Sequence, residues 1–167
     1  MSPRALLLAG GLGTRLRPLT DTVPKCLVPV GGRPLLDYWL DAREAAGSDE
    51  ALINTHHLPA PVRAYIESVN VTRDITLTEA YEPDLLGSAG TVSANRGWAD
   101  RVHEVLVIYA DNLSDIDLGA LVAFHRGHGD PMTMALFHTE FPEKCGIAEL
   151  NGTGRITAFT EKPERPA

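Results

Sequence analysis

Residues 5–25 read ALLLAGGLGTRLRPLTDTVPK, and the reading of this stretch decides the fold. The run Ala5-Leu6-Leu7-Leu8-Ala9 reads as a buried strand. Gly10, Gly11 and Gly13 follow at once, so the turn falls at the strand's carboxyl end, where open α/β sheets bind ligands. Glycine lets the backbone approach a ligand closely and accepts φ > 0. Arg15, Arg17 and Lys25 then supply cations, a combination suited to a polyphosphate. Two commoner phosphate motifs fail. No Lys-Ser or Lys-Thr pair follows the glycines, and the position where a dinucleotide fingerprint needs its third glycine is Leu16. A Gly-Gly pair after a strand is by itself only a turn signal, so the cations carry the phosphate reading.

Working outward, strand and helix alternate. A helix is expected over 34–46, opened by Pro34 and closed at Gly47, with Leu35, Trp39, Ala42 and Ala46 on one face. Strands are expected at 51–54 and 75–78, with a helix at 60–68 between them. A second glycine loop, Leu86-Gly87-Ser88-Ala89-Gly90-Thr91, leads into a helix over 88–98. Residues 105–110, VLVIYA, read as a strand buried on both faces. A helix over 117–126, with Asp115 and Asp117 as cap candidates, and a strand over 132–137 follow. The last pattern is a hairpin of 146–150 and 155–159 around Asn151-Gly152-Thr153-Gly154. Repeated βα units predict an α/β, Rossmann-like, mostly parallel sheet with helices on both faces. The 167 residues suffice for one domain.

Charge is segregated. Residues 1–36 carry Arg4, Arg15, Arg17, Lys25 and Arg33 against Asp21, a balance of +4, and the rest of the chain carries −11 within a total of −7. A local basic pocket on an acidic body suits a small polyanion, and no broad basic face is offered to nucleic acid. No stretch approaches the roughly 20 apolar residues of a membrane span. The five apolar residues before the glycines are too few for a signal peptide, so a cytoplasmic location is expected. Cys26 and Cys145 match no metal spacing and are expected as reduced, packed thiols, with Lys25 the one neighbour that would lower the Cys26 pKa. His125 and His128 lack a third ligand at zinc spacing, and the remaining histidines, 56, 57, 103 and 138, read as surface or satisfied groups.

The run from Gly10 to Thr20, GGLGTRLRPLT, with Pro24-Lys25 after it, resembles the signature of sugar-1-phosphate nucleotidyltransferases, the NDP-sugar pyrophosphorylases. The resemblance extends to Glu161-Lys162-Pro163 and covers nearly all of the chain. It implies transfer of a nucleotidyl group from an NTP to a sugar 1-phosphate, with Arg15 and Lys25 catalytic. It places Leu8, Ala9, Gly10, Gly11, Gly13 and Thr14 at the nucleotide, and Glu82 and Gly87 at its base. Asp111 would bind Mg²⁺, in Ala110-Asp111-Asn112 where the family usually has Gly-Asp or Ser-Asp. Gly146, Glu161 and Lys162 would hold the sugar 1-phosphate.

The second loop is closer to guanylyltransferase-like members, which favours guanylyl transfer to a mannose- or heptose-type sugar; uridylyl and thymidylyl transfer stay open. So does a non-catalytic nucleotide-sugar sensor, against which Arg15, Lys25 and Asp111 together weigh. In the resembled family the domain continues past Pro163 and supplies another metal-binding aspartate. Residues 1–167 are therefore expected to be the larger, N-terminal part of a C-terminally shortened catalytic domain. A homo-oligomer is left open.

Overall fold

The computed structural model describes residues 2–163. It separates into two units, Met1–Asp130 and Pro131–Ala167. In the first, strands β1 (Arg4–Leu8), β4 (Glu50–Thr55), β5 (Thr76–Tyr81) and β6 (Val105–Tyr109) form a sheet of order β5-β4-β1-β6. All three pairings are parallel. Between β1 and β4 lie a short antiparallel pair, β2 (Pro29–Val30) and β3 (Arg33–Pro34), and helix α1 (Leu35–Ala45). Helix α2 (Pro59–Thr72) joins β4 to β5, α3 (Gly87–Ala94) and α4 (Arg96–Ala99) precede β6, and α5 (Leu118–Arg126) follows it.

Alternation along β1 explains the layers, because successive side chains leave a strand on opposite faces. Ala5 and Leu7 enter the main core with Leu36, Leu40, Val62, Ile66, Leu118 and Val122, which places α1, α2 and α5 on that face. Leu6 and Leu8 meet Leu52 and Trp98 on the other, which places α4 there. β1 lies between two parallel neighbours and is buried on both faces, which is why its sequence is continuously apolar.

β6 departs from expectation. Its apolar run resembles that of β1, yet Val107 and Tyr109 are 44% and 53% exposed. Both leave β6, the last strand of the sheet, on the face of Leu6 and Leu8, whose core cluster reaches Val105 but not them. The expected helix over 88–98 is broken into α3 and α4 at Asn95, whose side chain donates to the Thr91 carbonyl at 2.8 Å. Of the two cap candidates, Asp117 caps α5 by accepting from the Ala120 amide at 2.9 Å.

In the second unit, β7 (Gly146–Leu150) and β8 (Ile156–Glu161) form the expected antiparallel hairpin. The strand expected over 132–137 does not form. Met132, Met134 and Leu136 have strand periodicity and are exposed, with no ladder partner among the described residues. Periodicity supplies a face; only a neighbouring strand supplies the hydrogen bonds.

Candidate active site

The strand register builds the site. Leu8 at the end of β1 stands between Asn54 of β4 and Tyr109 of β6. The chain leaves β1 through Ala9 to Gly13, and leaves β6 through Ala110 and Asp111, at the same carboxyl edge. Gly13 has φ +65, and its carbonyl accepts from the Thr20 hydroxyl at 2.7 Å. The 3-10 turn Thr14–Leu16 starts there and leaves Arg15 exposed, with no hydrogen-bond or ion-pair partner among the described residues. Arg17 turns away and pairs with Asp21 at 3.3 Å, both well solvated.

A later 3-10 turn, Lys25–Leu27, buries the Cys26 thiol and turns Lys25 outward. Its Nζ lies 2.7 Å from Oδ2 of Asp111. The loop carrying Asp111 is pinned by the Trp39 indole N–H, which donates to the Asn112 carbonyl at 2.7 Å. Two residues that the sequence places 86 positions apart thus face one another beside the glycine turn. A Cβ built on Gly11 would lie 3.8 Å from Asp111 Oδ2, so Gly11 borders the pair. Gly10, Gly11, Glu82, Gly87, Tyr109 and Asp111 line an open cleft of about 210 Å³. Gly87 opens α3 with φ +69, and the Tyr109 hydroxyl donates to Ser88 Oγ at 2.9 Å.

One sequence expectation changes. Lys25 does not lower the Cys26 pKa. Burial pushes that thiol up from 9.0 to about 12, with Asp111 adding to the rise, so Cys26 is an inert core group. Glu82, at the wall of the cleft, is 4% exposed and its carboxylate is engaged within the protein. Its Oε1 accepts from Thr91 Oγ1 at 2.5 Å and Asn54 Nδ2 at 3.2 Å, and its Oε2 from the Leu86 amide at 3.3 Å. The Ala9 and Gly10 amides donate inward to Asn54 Oδ1, at 2.6 and 3.2 Å. The amides of residues 11–15 have no intramolecular acceptor among the described residues. Sequence reasoning passed over Asn54 and Thr91. The available signal was an asparagine, a residue depleted in strands, closing the apolar strand ALIN at a carboxyl edge.

In the second unit, Gly146 sits opposite Glu161 in the β7–β8 ladder. A Cβ on Gly146 would run into the Phe159 ring and come within 3.0 Å of Glu161 Oε2. Lys162 follows with φ 46, its amide donating to the Cys145 carbonyl at 3.0 Å and its Nζ 3.5 Å from Glu161 Oε1. The three residues expected at a sugar phosphate are therefore neighbours at one end of the hairpin.

An open parallel sheet with a glycine turn, a lysine and an aspartate at its carboxyl edge defines an α/β protein with its site at the strand ends. Residues 4–167 match the model of the nucleotidyl transferase family, and the chain belongs to that family. Among its relatives are mannose-1-phosphate guanyltransferase of Schizosaccharomyces pombe, 32% identical over 96% of this chain and 45% of its own, and mannose-1-phosphate guanylyltransferase 1 of Arabidopsis thaliana, 30% identical over 96% and 45%. The chain thus spans about half the length of the curated relatives it matches. A Bacillus anthracis structure assigned as a glucose-1-phosphate thymidylyltransferase superposes with a TM-score of 0.80. It is 21% identical and covers 98% of this chain and 65% of its own, a likeness of fold. No described helix is long and apolar enough to cross a membrane.

Proposed function

We propose that the protein transfers a nucleotidyl group from an NTP to a sugar 1-phosphate, giving an NDP-sugar and pyrophosphate. The observation that carries the reading is the meeting of Lys25 and Asp111 at 2.7 Å beside the glycine turn, with Arg15 exposed on the same turn. In this reaction a sugar-phosphate oxygen attacks the α-phosphorus. The bond to the bridging α–β oxygen breaks, and its electron pair leaves with pyrophosphate. The nucleophile is already ionised near neutral pH, so no general base is needed. The barrier lies in bringing two anions together, which positioned cations and amides lower.

Arg15 offers a planar fork to the transferring phosphate and the departing pyrophosphate. The amides of residues 11–15, including those of Gly11, Gly13 and Thr14, face the phosphates, while Leu8, Ala9 and Gly10 form the floor. Lys25 leaves Asp111 for phosphate oxygens of both substrates. Gly87 contributes backbone to the base edge, and Gly146, Glu161 and Lys162 are assigned to the sugar 1-phosphate.

Asp111 fits a Mg²⁺ ion: it is a hard oxygen donor, partly exposed, at the edge where phosphates would lie. When bound, the ion would neutralise charge on the phosphate oxygens. The names of the relatives favour guanylyl transfer to mannose 1-phosphate. Two free cysteines support a reducing, cytoplasmic setting.

The test is pyrophosphate release by the whole protein with each pairing of GTP, UTP or dTTP and mannose, glucose or heptose 1-phosphate. Turnover strongest with GTP and mannose 1-phosphate is expected. Nucleotide binding without turnover on any pair would make the protein a sensor.

A further inference from the structure

Asn54 touches both loops of the cleft, and both ends of its carboxamide are hydrogen-bonded. It is the penultimate residue of β4, beside Leu8, and is 5% exposed. Oδ1 accepts from the Ala9 amide at 2.6 Å and the Gly10 amide at 3.2 Å, filling both lone pairs. Nδ2 donates toward the hydrogen-bonded pair of Glu82 Oε1, at 3.2 Å, and Thr91 Oγ1, at 3.3 Å. Two backbone amides demand an acceptor and a carboxylate demands a donor, so a carboxamide in this one orientation answers both. Glu82 extends the link to the Leu86 amide, immediately before Gly87 and α3. The packing agrees: a Cβ on Gly10 would stand 2.9 Å from Asn54 Nδ2, so the first loop closes down on this side chain.

We propose that Asn54 is a positioning residue that sets the two nucleotide loops in register with one another. Through Glu82 and Thr91 it holds the base-side loop, and through Ala9 and Gly10 the phosphate-side loop. Glu82 accordingly orients the base loop and does not itself read the base. The inference rests on the nucleotide reading of the cleft. Aspartate in place of Asn54 keeps an acceptor for the amides but sets a second carboxylate against Glu82. Alanine leaves two buried amides unpaired. Glutamine carries an extra methylene that this packed corner has no room for.

The experiment uses the whole protein with GTP and mannose 1-phosphate, well below the melting temperature of every variant. Asn54→Ala and Asn54→Asp are each expected to raise KM for GTP about 10- to 100-fold, as displaced binding groups do, with KM for mannose 1-phosphate moving less than about threefold. Should Asn54→Ala fail to fold, Asn54→Asp carries the test alone. Asn54→Asp combined with Glu82→Gln restores complementarity. The new amide can donate to the new carboxylate and to Thr91, and its oxygen can accept from the Leu86 amide. This pair should recover GTP KM to within about fivefold of the unchanged protein, a coupling that generic loss of stability would not produce.

A GTP KM unchanged by Asn54→Asp, or no recovery in the double variant, overturns the inference while leaving the reaction standing. Absence of turnover by the unchanged protein overturns both.

Discussion

Replacing Gly13 by alanine tests whether the glycine turn is held as described, and its cost follows from two independent observations. Gly13 has φ +65, a conformation that costs a side-chain-bearing L-residue about 1–2 kcal/mol. A Cβ there would also lie 2.9 Å from Thr20 Cγ2 and 3.1 Å from Thr20 Cβ, and overpacking of this kind costs about 1–3 kcal/mol. Loss of unfolded-state entropy on replacing glycine returns about 0.4–1 kcal/mol. Gly13→Ala should therefore destabilise the protein by about 2–4 kcal/mol, lowering the urea midpoint by about 1–2 M. Thr20→Ser removes the closer contact and keeps the hydroxyl that donates to the Gly13 carbonyl at 2.7 Å. Gly13→Ala with Thr20→Ser should recover part of the packing cost, the 3.1 Å contact with the Cβ of residue 20 remaining, and leave the backbone cost of about 1–2 kcal/mol. Urea unfolding followed by fluorescence reads each quantity. A change below about 0.5 kcal/mol for Gly13→Ala, the scale of an ordinary surface substitution, would refute the reasoning.

The neighbouring Gly11 makes the contrast. Its φ is not positive and its new Cβ would meet only Asp111 Oδ2 at 3.8 Å, so Gly11→Ala should shift stability by less than about 0.5 kcal/mol. It should raise KM for the nucleotide severalfold, and an unchanged KM would remove Gly11 from the ligand surface. Lys25→Met and Asp111→Asn are each expected to lower kcat by about 100-fold or more in the pyrophosphate assay. Because the pair is partly exposed, each should change stability by no more than about 1 kcal/mol.

Cys26 predicts an alkaline loss of stability. The unfolded chain releases the thiol proton near 9 and the folded chain near 12, so folding is progressively disfavoured as pH rises from 9 to 12. The loss amounts to about 4 kcal/mol by pH 12 and is absent below pH 9. Urea midpoints of Cys26→Ala that fall just as steeply over that range would exclude the thiol as the cause. Leu36 is fully buried, and Leu36→Ala should cost about 2–5 kcal/mol in the same unfolding assay.

The sheet was legible in the sequence wherever a signal was local. Apolar runs at β1 and β4, the glycines that follow β1 and the helical periodicity of α1 and α5 each declare themselves within a dozen residues. So did the glycine turn with Arg15 and Lys25, and the hairpin that sets Gly146 against Glu161. The strand expected over 132–137 and the double burial expected of β6 failed for one reason. Both depend on what stands nearby in space: a pairing strand for 132–137 and cover for one face of β6, neither of which an apolar run records.

The same division runs through the site. Sequence alone determined the chemical inventory at the strand ends: glycines, three cations and an aspartate. Tertiary structure decided the assignments. It paired Lys25 with Asp111, buried Cys26 so that its pKa rises rather than falls, and turned the Ala9 and Gly10 amides inward. It also spent the Glu82 carboxylate on Asn54, Thr91 and Leu86. The physical reason is range. Conformational preference and periodicity act over a few residues along the chain, whereas hydrogen bonds and desolvation depend on neighbours that only the packed sheet brings within about 3 Å.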